Sequence, residues 1–558
     1  MSAPASHAPR CLTRPLGALA AVALAASGAA AAEAAPGRGG PHAPAVDAGT
    51  LAPQLAHQDL AWEDCALDPE TGLGDVAGLE CADVVVPLDW NAPRNGQTIT
   101  VRISRVPATG GAERQGILLL NPGGPGGPGL EMAPSLAESA PALAASYDLI
   151  GFDPRGVERS TPLLCEVPTE ALLSGDAAGL PRVLAEACRA NPLARYITTE
   201  QTVHDMDLIR EVLGEERTNY LGYSYGTWLG SWYQREFPQN SGRFVLDSST
   251  DLTRKSLEET WDVQPYAFER QFRDVLLPYL SRHGAEHGVS GDAADLYRQF
   301  EAAGGTRTET GQVVGAIVAQ LMYRAENYPI AAEIVAVYLR GELDGLDAAG
   351  PGAGPETGPG VLRRAAAVAG VDPRLAGLDP RLSPAVEALP DEELPERIPL
   401  PGAMQAVQCQ DGRWQQSLPY WQAQRDKLAR TAPFAGGVFS ALPVCAHWPA
   451  VTEMPKPGNK KTHPESVILQ SEMDPATAYE AGARSAKLIP NTTLVSVDDE
   501  VSHGVYPYGT ACVDTVVERY LLTGVRPRGN VVCQGKPLPG DTAPQEYDGG
   551  VRAETARR

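Results

Sequence analysis

Residues 218–231 read Thr-Asn-Tyr-Leu-Gly-Tyr-Ser-Tyr-Gly-Thr-Trp-Leu-Gly-Ser. A short aromatic, strand-like run leads into the pentapeptide Gly-Tyr-Ser-Tyr-Gly centred on Ser224, and a helix-compatible stretch follows. This is a G-x-S-x-G pattern between a predicted strand and a predicted helix. A serine on such a sharp, strained turn leaves no room for side chains two residues to either side, which is why both glycines are needed. The pattern therefore predicts that Ser224 is a nucleophile whose hydroxyl projects above a sheet.

The composition is that of a soluble globular protein. The chain has 558 residues, of which 43% are hydrophobic and 21% are charged, and its length predicts two or three units. The formal net charge is −23. Because phosphate binding relies on clustered Lys and Arg, this charge argues against a nucleic-acid partner.

The first residues have the pattern of an export signal. Arg10 and Arg14 form a basic start, residues 16–26 are apolar, and Ala-rich sequence follows. We expect residues 1–35 to be a signal peptide and residues 36–60, rich in Pro, Ala and His, to be a linker or pro-segment. No later apolar run reaches the length of a membrane span, so the expected product is secreted.

Eight cysteines follow the predicted signal, and an even number in an exported protein indicates disulfides. Short loops favour pairing in sequence order. The expected pairs are Cys65 with Cys81, Cys165 with Cys188, Cys409 with Cys445 and Cys512 with Cys533. No cysteine or histidine cluster has zinc spacing, so we expect no metal and no cofactor.

Predicted strands and helices alternate through the first part of the chain, which indicates a mostly parallel sheet covered by helices. Mainly helical sequence replaces them from about residue 249. Strand-like sequence returns at Ser466–Gln470 and Thr492–Val497. The predicted fold class is α/β, with a core at 61–248 and 441–535, an inserted helical cap at 249–440 and a tail at 536–558. A Gly- and Pro-rich stretch at 345–360 is expected to be a loop.

Partners for Ser224 are expected after the cap, because the order in such folds is Ser, then Asp or Glu, then His. Asp474 follows the strand at 466–470, and His503 follows the strand at 492–497. Reacting groups gather at the carboxyl ends of parallel strands, so these three residues are predicted to form one site. The alternative acids are Glu472, Asp498 and Asp499. Asp153 and Arg155, in Asp-Pro-Arg-Gly, are expected to fix a loop through hydrogen bonds.

Residues 121–129, Asn-Pro-Gly-Gly-Pro-Gly-Gly-Pro-Gly, follow an early predicted strand. So much Gly and Pro predicts irregular backbone. One interpretation is a flexible surface loop. The other is backbone that must approach a reacting atom, because a hydrolase of this type keeps one oxyanion N–H in this position. The second oxyanion N–H is then expected from Tyr225, directly after the nucleophile.

The chain resembles the secreted bacterial tripeptidyl aminopeptidases of the α/β-hydrolase superfamily, which are relatives of the proline iminopeptidases. The matching stretches are VPLDW from Val86, NPGGPGGPG from Asn121, DPRG from Asp153, LGYSYGT from Leu221, AVQCQD around Cys409, CAHWP from Cys445, MDPAT around Asp474 and SHG around His503. The resemblance implies an α/β-hydrolase fold and Gly124 as an oxyanion donor. Ser502 departs from the pattern, because relatives commonly have Gly before the histidine.

The resemblance also implies a function. Relatives release short peptides, chiefly tripeptides, from free N-termini, so the expected partners are peptide or protein N-termini. A buried substrate ammonium group then needs carboxylates or carbonyls, and Glu326, Glu333, Glu258 and Glu259 are candidates, though each is also interpretable as a solvated helix charge. The alternatives are a secreted esterase or lipase with the same triad and an inactive cell-surface binding protein.

Overall fold

The computed structural model describes residues 46–65, 67, 76–110, 114–174, 179–343, 395–439, 443–449, 452–508 and 510–547. The predicted signal peptide and the expected loop at 345–360 lie outside the described residues. The same holds for residues 36–45 of the predicted linker and for the end of the tail.

Nine of the eleven strands in the described ranges form one sheet, in the order β1-β2-β4-β3-β6-β7-β9-β10-β11. The strands are β1 (Glu80–Pro87), β2 (Thr98–Val106), β3 (Ile117–Asn121), β4 (Asp148–Phe152), β5 (Leu164–Pro168), β6 (Thr218–Tyr223), β7 (Ser241–Asp247), β8 (Arg397–Pro401), β9 (Ser466–Ser471), β10 (Thr492–Asp498) and β11 (Val531–Gln534). In this spatial order, every neighbouring pair from β4 to β11 is parallel. The central strands are apolar and buried along their length, because helices cover both faces.

Helices supply those two layers and the inserted cap. The described α-helices are α1 (Ala48–Leu51), α2 (Met132–Ser139), α3 (Pro141–Ser146), α4 (Thr169–Leu173), α5 (Leu180–Ala190), α6 (Thr199–Val212), α7 (Tyr225–Glu236), α8 (Leu257–Trp261), α9 (Gln264–Gln271), α10 (Leu277–Arg282), α11 (Gly284–His287), α12 (Ala293–Ala302), α13 (Glu309–Leu321), α14 (Tyr328–Leu339), α15 (Ala403–Gln410), α16 (Leu418–Thr431), α17 (Pro433–Val438), α18 (Tyr479–Leu488) and α19 (Ala511–Thr523). One sheet face packs on a core that includes α2, α3 and α19, and the other on a core that includes α6, α7 and α18.

The chain leaves the sheet after β7 and returns to it at β9, so the predicted insertion of a helical cap is confirmed. Helices between α9 and α17 share a hydrophobic core of their own. At its centre the rings of Phe272 and Phe434 stack with centroids 3.9 Å apart. A π-helical turn at Phe272–Leu276 joins α9 to α10. One part of the inserted sequence belongs with the core, because β8 pairs antiparallel with β5.

Residues 46–60, expected to be part of a linker or pro-segment, pack against the body of the protein. Ala48 in α1 is fully buried, and its N–H donates to the carboxylate of Asp207 at 2.9 Å. At the other end, Tyr279 of the cap donates its hydroxyl to the carbonyl of Pro539 at 2.8 Å. The segments around Ala48 and Pro539 are fixed to the body by a few buried residues and single polar contacts. Such contacts need no hydrophobic periodicity, so these segments show none.

Each of the four expected cysteine pairs is bonded, so the pairing in sequence order is confirmed: Cys65–Cys81, Cys165–Cys188, Cys409–Cys445 and Cys512–Cys533. The closed loops are 16 to 36 residues long in sequence separation. In the chain-entropy account, a loop of this size stabilises the fold by roughly 3 kcal/mol. Within the described ranges, no helix has both the length and the apolar character of a membrane-spanning segment.

Candidate active site

Ser224 lies on a strained turn between β6 and α7, with φ 56° and ψ −124°. A non-glycine residue at such a φ is uncommon and is held only where the surroundings over-determine it. The close packing around the flanking glycines, Gly222 and Gly226, holds Ser224 in this conformation. A Cβ on Gly222 would meet the ring and hydroxyl of Tyr220 at 2.5 Å, and one on Gly226 would lie 2.8 Å from Asn121 Oδ1. The predicted sharp turn is therefore present, and its glycines are required by contact.

The glycine-rich loop after β3 lies directly against this turn. A Cβ on Gly123 would be 2.4 Å from the carbonyl oxygen of Tyr223 and 3.1 Å from the backbone nitrogen of Tyr225. The N–H of Gly123 donates to Asn121 Oδ1 at 3.0 Å, so this donor is already used. The next N–H in the loop is that of Gly124, whose φ is +108°. Tyr225 is the first residue of α7, where backbone N–H groups have no partner within the helix.

His503 and Asp474 are bonded to each other. His503 Nδ1 lies 2.9 Å from Asp474 Oδ1 and 3.0 Å from Oδ2. The carboxylate is fully buried and also accepts N–H groups from Ala476 at 2.9 Å and Thr477 at 2.8 Å. An Nδ1–H donated to the carboxylate leaves Nε2 as the proton acceptor of the imidazole.

The turn of Ser224 and the loop of His503 meet at the end of β7, at Asp247 and Ser248. The carbonyl of Asp247 accepts the N–H of Ser224 at 3.0 Å. Its carboxylate accepts the N–H groups of Val505 and Tyr506 at 2.9 to 3.1 Å. The sequence analysis did not single out Asp247. Its position could have indicated a role in the site, because it follows the predicted nucleophile strand and ends the next strand at its carboxyl end.

Two of the three alternative acids, Glu472 and Asp499, accept backbone N–H groups. Glu472 Oε2 accepts the N–H of Asp499 at 3.0 Å, and Asp499 Oδ1 accepts the N–H of Tyr547 at 2.8 Å. Glu472, Asp498 and Asp499 each bring an oxygen within 4.8 Å of the others, a spacing that a metal ion could use. Glu472 and Asp499 are held by backbone N–H groups, whereas the buried Oδ1 of Asp498 has no hydrogen-bond partner among the described residues. Of the four acids considered, Asp474 is the one that is hydrogen-bonded to His503.

Asp153 and Arg155 fix structure, as expected. Asp153 accepts the N–H groups of Gly129 at 2.9 Å and Arg159 at 3.2 Å, and burial raises its pKa to about 6. Arg155 is fully buried and pairs with Asp205 of α6, with two N–O distances of 2.5 and 2.6 Å. The contacts of Arg155 are therefore long-range, whereas the sequence had indicated local ones.

The class of protein is defined by three features that lie together at the carboxyl ends of parallel strands. These are the turn of Ser224, the hydrogen-bonded carboxylate and imidazole, and the glycine-rich loop, and they define the α/β-hydrolase serine enzymes. The comparisons agree. The model described as "alpha/beta hydrolase fold" matches residues 116–287, and the one described as "TAP-like protein" matches residues 432–533. The chain is 31% identical to a tripeptidyl aminopeptidase of Streptomyces coelicolor, over 89% of this chain and 90% of that protein. The chain belongs to the tripeptidyl aminopeptidase family.

Two further relatives carry other names. The chain is 25% identical to serine protease Hip1 of Mycobacterium tuberculosis, over 85% of this chain and 91% of that protein. It is 30% identical to carboxylesterase B of the same organism, over 86% and 91%. Among solved structures, proline iminopeptidase of Mycobacterium smegmatis matches with a TM-score of 0.34 and 14% identity, covering 79% of this chain and 97% of that one.

Proposed function

We propose that the protein is a serine peptidase in which Ser224, His503 and Asp474 form the catalytic triad. Ser224 Oγ attacks the scissile carbonyl, and His503 Nε2 takes the hydroxyl proton and returns it to the leaving amine. Asp474 holds the imidazole in the tautomer that makes this possible. The acyl-enzyme is then hydrolysed by water in the reverse sequence of proton transfers.

The oxyanion of the tetrahedral intermediate is proposed to lie between the N–H groups of Gly124 and Tyr225. The contact of Gly123 with the turn of Ser224 supports this, because it brings the loop to the start of α7. The positive end of the α7 dipole adds to the stabilisation of the developing charge. One such donor is typically worth about 10² to 10³ in kcat.

The proposed substrates are peptides or proteins with free N-termini, from which tripeptides are released. The support is the similarity to tripeptidyl aminopeptidase over nearly the whole length of both chains. Such a pocket must neutralise a substrate ammonium group. Of the four acidic candidates, Glu326 pairs with Arg324 at 2.9 Å, and Glu333 pairs with Arg340 at 3.0 Å and His287 at 2.6 Å.

Glu258 and Glu259 carry no ion pair of this kind within the described ranges but accept backbone N–H groups, from Gln415 at 2.5 Å and from Lys255 at 3.4 Å, so all four acids stay candidates for the ammonium group. Burial raises the pKa of Glu258, and neighbouring Asp262 and Glu259 raise it further, while the N–H of Gln415 opposes this. A carboxylate whose like-charged neighbours raise its pKa gains from a cation placed between them. Glu258→Gln is expected to raise KM for free peptides and to leave N-acetylated peptides unchanged.

The direct test compares a tripeptide amide substrate with its N-acetylated form. Acetylation removes the charge and adds bulk, so kcat/KM is expected to fall greatly for the blocked substrate. Equal cleavage of the two forms would contradict the aminopeptidase function and leave an endopeptidase or esterase.

The second candidate is an esterase with the same triad, favoured by the 30% identity to carboxylesterase B. It predicts cleavage of esters, with no cleavage of peptide amides of the same acyl group. A fluorophosphonate probe separates both enzymes from an inactive binding protein, because only an activated serine reacts readily.

We also propose that the protein is secreted. Four disulfides are typical of an oxidising compartment, and they support this location independently of the first 35 residues. Amino-terminal sequencing of the protein recovered from culture medium would locate the cleavage point.

A further inference from the structure

We propose that Asp247 is a positioning residue that fixes the histidine loop, residues 501–506, against the turn carrying Ser224. This rests on the proposed function, because it matters for catalysis only if Ser224 and His503 react together. Strand β7, which Asp247 ends, lies between the strand before Ser224 and the strand before Asp474 in the sheet order. Asp247 is therefore at the centre of the three proposed catalytic segments.

The two ends of Asp247 hold two different segments. Its carbonyl oxygen accepts the N–H of Ser224 at 3.0 Å. Its carboxylate accepts Val505 N–H at 3.0 and 3.1 Å and Tyr506 N–H at 2.9 Å, just after His503 in sequence. A single residue thus bridges the nucleophile turn to the base loop through short hydrogen bonds.

Ser248 completes the clamp. It adopts φ 54° and is fully buried. Its hydroxyl donates to Asp247 Oδ1 at 3.3 Å and accepts the N–H of Gly504 at 2.6 Å. Three consecutive N–H groups after His503 are consequently satisfied by this dipeptide. Its backbone is also tied to the acid strand, because Ser248 N–H donates to the carbonyl of Leu469 at 2.9 Å.

A buried carboxyl group is a costly way to satisfy backbone N–H groups, which argues for a role beyond filling space. Asp247 is fully buried, and burial raises its pKa to about 7, against the lowering effect of Tyr506 and Val505 N–H. The titratable groups close enough to interact electrostatically with Asp247 are His503, Tyr223 and Tyr508. Precise placement of the histidine loop would offset the desolvation cost of burying Asp247, because a 1 Å misplacement of reacting groups can lower a rate by about 10²-fold.

The test is Asp247→Asn, which keeps the volume but turns an N–H₂ donor toward backbone N–H groups. We expect kcat for a free tripeptide amide to fall by about 10- to 100-fold with KM unchanged, and fluorophosphonate labelling of Ser224 to slow by a similar factor. The matched control is Asp411→Asn. Asp411 is also fully buried with its pKa raised by burial to about 7, but its carboxylate bonds to Thr199, Trp228 and Thr452.

Asp411→Asn is expected to lower Tm without lowering kcat. If Asp247→Asn lowers kcat no more than Asp411→Asn does, the inference is overturned. Ser248→Ala is the second variant if Asp247→Asn does not fold, since it removes the acceptor of Gly504 N–H and one donor to Asp247 but keeps the buried carboxylate. Normal kcat in this variant would also overturn the inference. Failure of the proposed function is distinguishable, because the wild-type protein would then not be labelled at Ser224.

Discussion

The backbone N–H of His503 donates to the carbonyl oxygen of Tyr323, a residue of the cap, at 2.8 Å. The two rings meet edge to face with centroids 5.2 Å apart. Beside them, the hydroxyl of Ser502 accepts the N–H of Ala325 at 3.2 Å. Ser502 therefore adds a bond between the cap and the histidine loop. The cap is attached to the proposed base as well as covering the sheet.

Gln271 at the end of α9 makes the same connection more deeply. Its buried amide donates to the carbonyls of Met473 at 3.0 Å and Val501 at 2.7 Å, one in the acid loop and one in the histidine loop. We expect Gln271→Ala to lower kcat by roughly 10-fold with little change in KM, by loosening both loops. Gln264→Ala is the control, because Gln264 reaches only the carbonyl of Ala476 at 3.1 Å. Equal kinetics in the two variants would contradict this coupling.

Ser224→Ala tests the proposed nucleophile. If the three residues act as a unit, kcat should fall by roughly 10⁶-fold, with substrate binding little changed. The measurement is steady-state kinetics on a tripeptide amide, with substrate binding followed separately on the inactive variant. Retention of more than about a tenth of the wild-type activity would exclude Ser224 from this role.

Gly222→Ala tests the turn itself. The added methyl group would lie 2.5 Å from the Tyr220 ring and 2.7 Å from the carbonyl of Gly226. Overpacking of this kind typically costs about 1–3 kcal/mol, and the shift needed to relieve it would move Ser224, so both Tm and kcat should fall. Gly529→Ala serves as the control, because its Cβ would meet nothing within 4 Å. A Gly222 variant with normal activity would show that the turn tolerates a side chain.

The buried ion pair of Arg155 and Asp205 should be essential for folding. Both side chains are at most 1% exposed, and Arg155 also donates to the carbonyls of Leu88 and Pro87. Asp205→Ala leaves an unpaired buried guanidinium, so we expect a loss of about 3–5 kcal/mol in the free energy of unfolding. Arg182→Ala breaks a pair that is more than half exposed, and its effect should be within about 0.5 kcal/mol. Urea unfolding measures both.

Stability should fall as pH rises from about 4 to about 7. Burial raises the pKa of Asp411 from 3.8 to about 7, so in this window the folded state holds a proton that the unfolded chain has released. The folded state is favoured while that proton is bound and loses this advantage as pH rises through the folded pKa. Asp411→Asn cannot ionise, so its Tm should depend less on pH than that of the wild type. An unchanged pH dependence of Tm would show that Asp411 does not contribute.

Local sequence was sufficient for the sheet and for naming the residues that are proposed to react at its edge. Buried parallel strands need uninterrupted apolar runs, so β9 and β10 were located within one residue. Ser224 was identified because a strained turn needs glycines at fixed offsets. Asp474 and His503 followed from the order of strands and from the rule that reacting groups lie beyond carboxyl ends. The disulfides followed from short loops, which have the highest chance of closure.

What only the tertiary structure decided is how these segments are held. Asp247 satisfies N–H groups that are more than 250 residues away in sequence, and Gln271 joins two loops that are 202 and 230 residues away. Such bonds leave no periodic signal, because each uses one side chain and another segment's backbone. The same holds for Arg155, whose partner Asp205 lies 50 residues on, and for Ala48, whose N–H donates to Asp207, 159 residues on. Sequence pattern named the groups that are proposed to react, and long-range hydrogen bonds between single residues hold the segments that carry them.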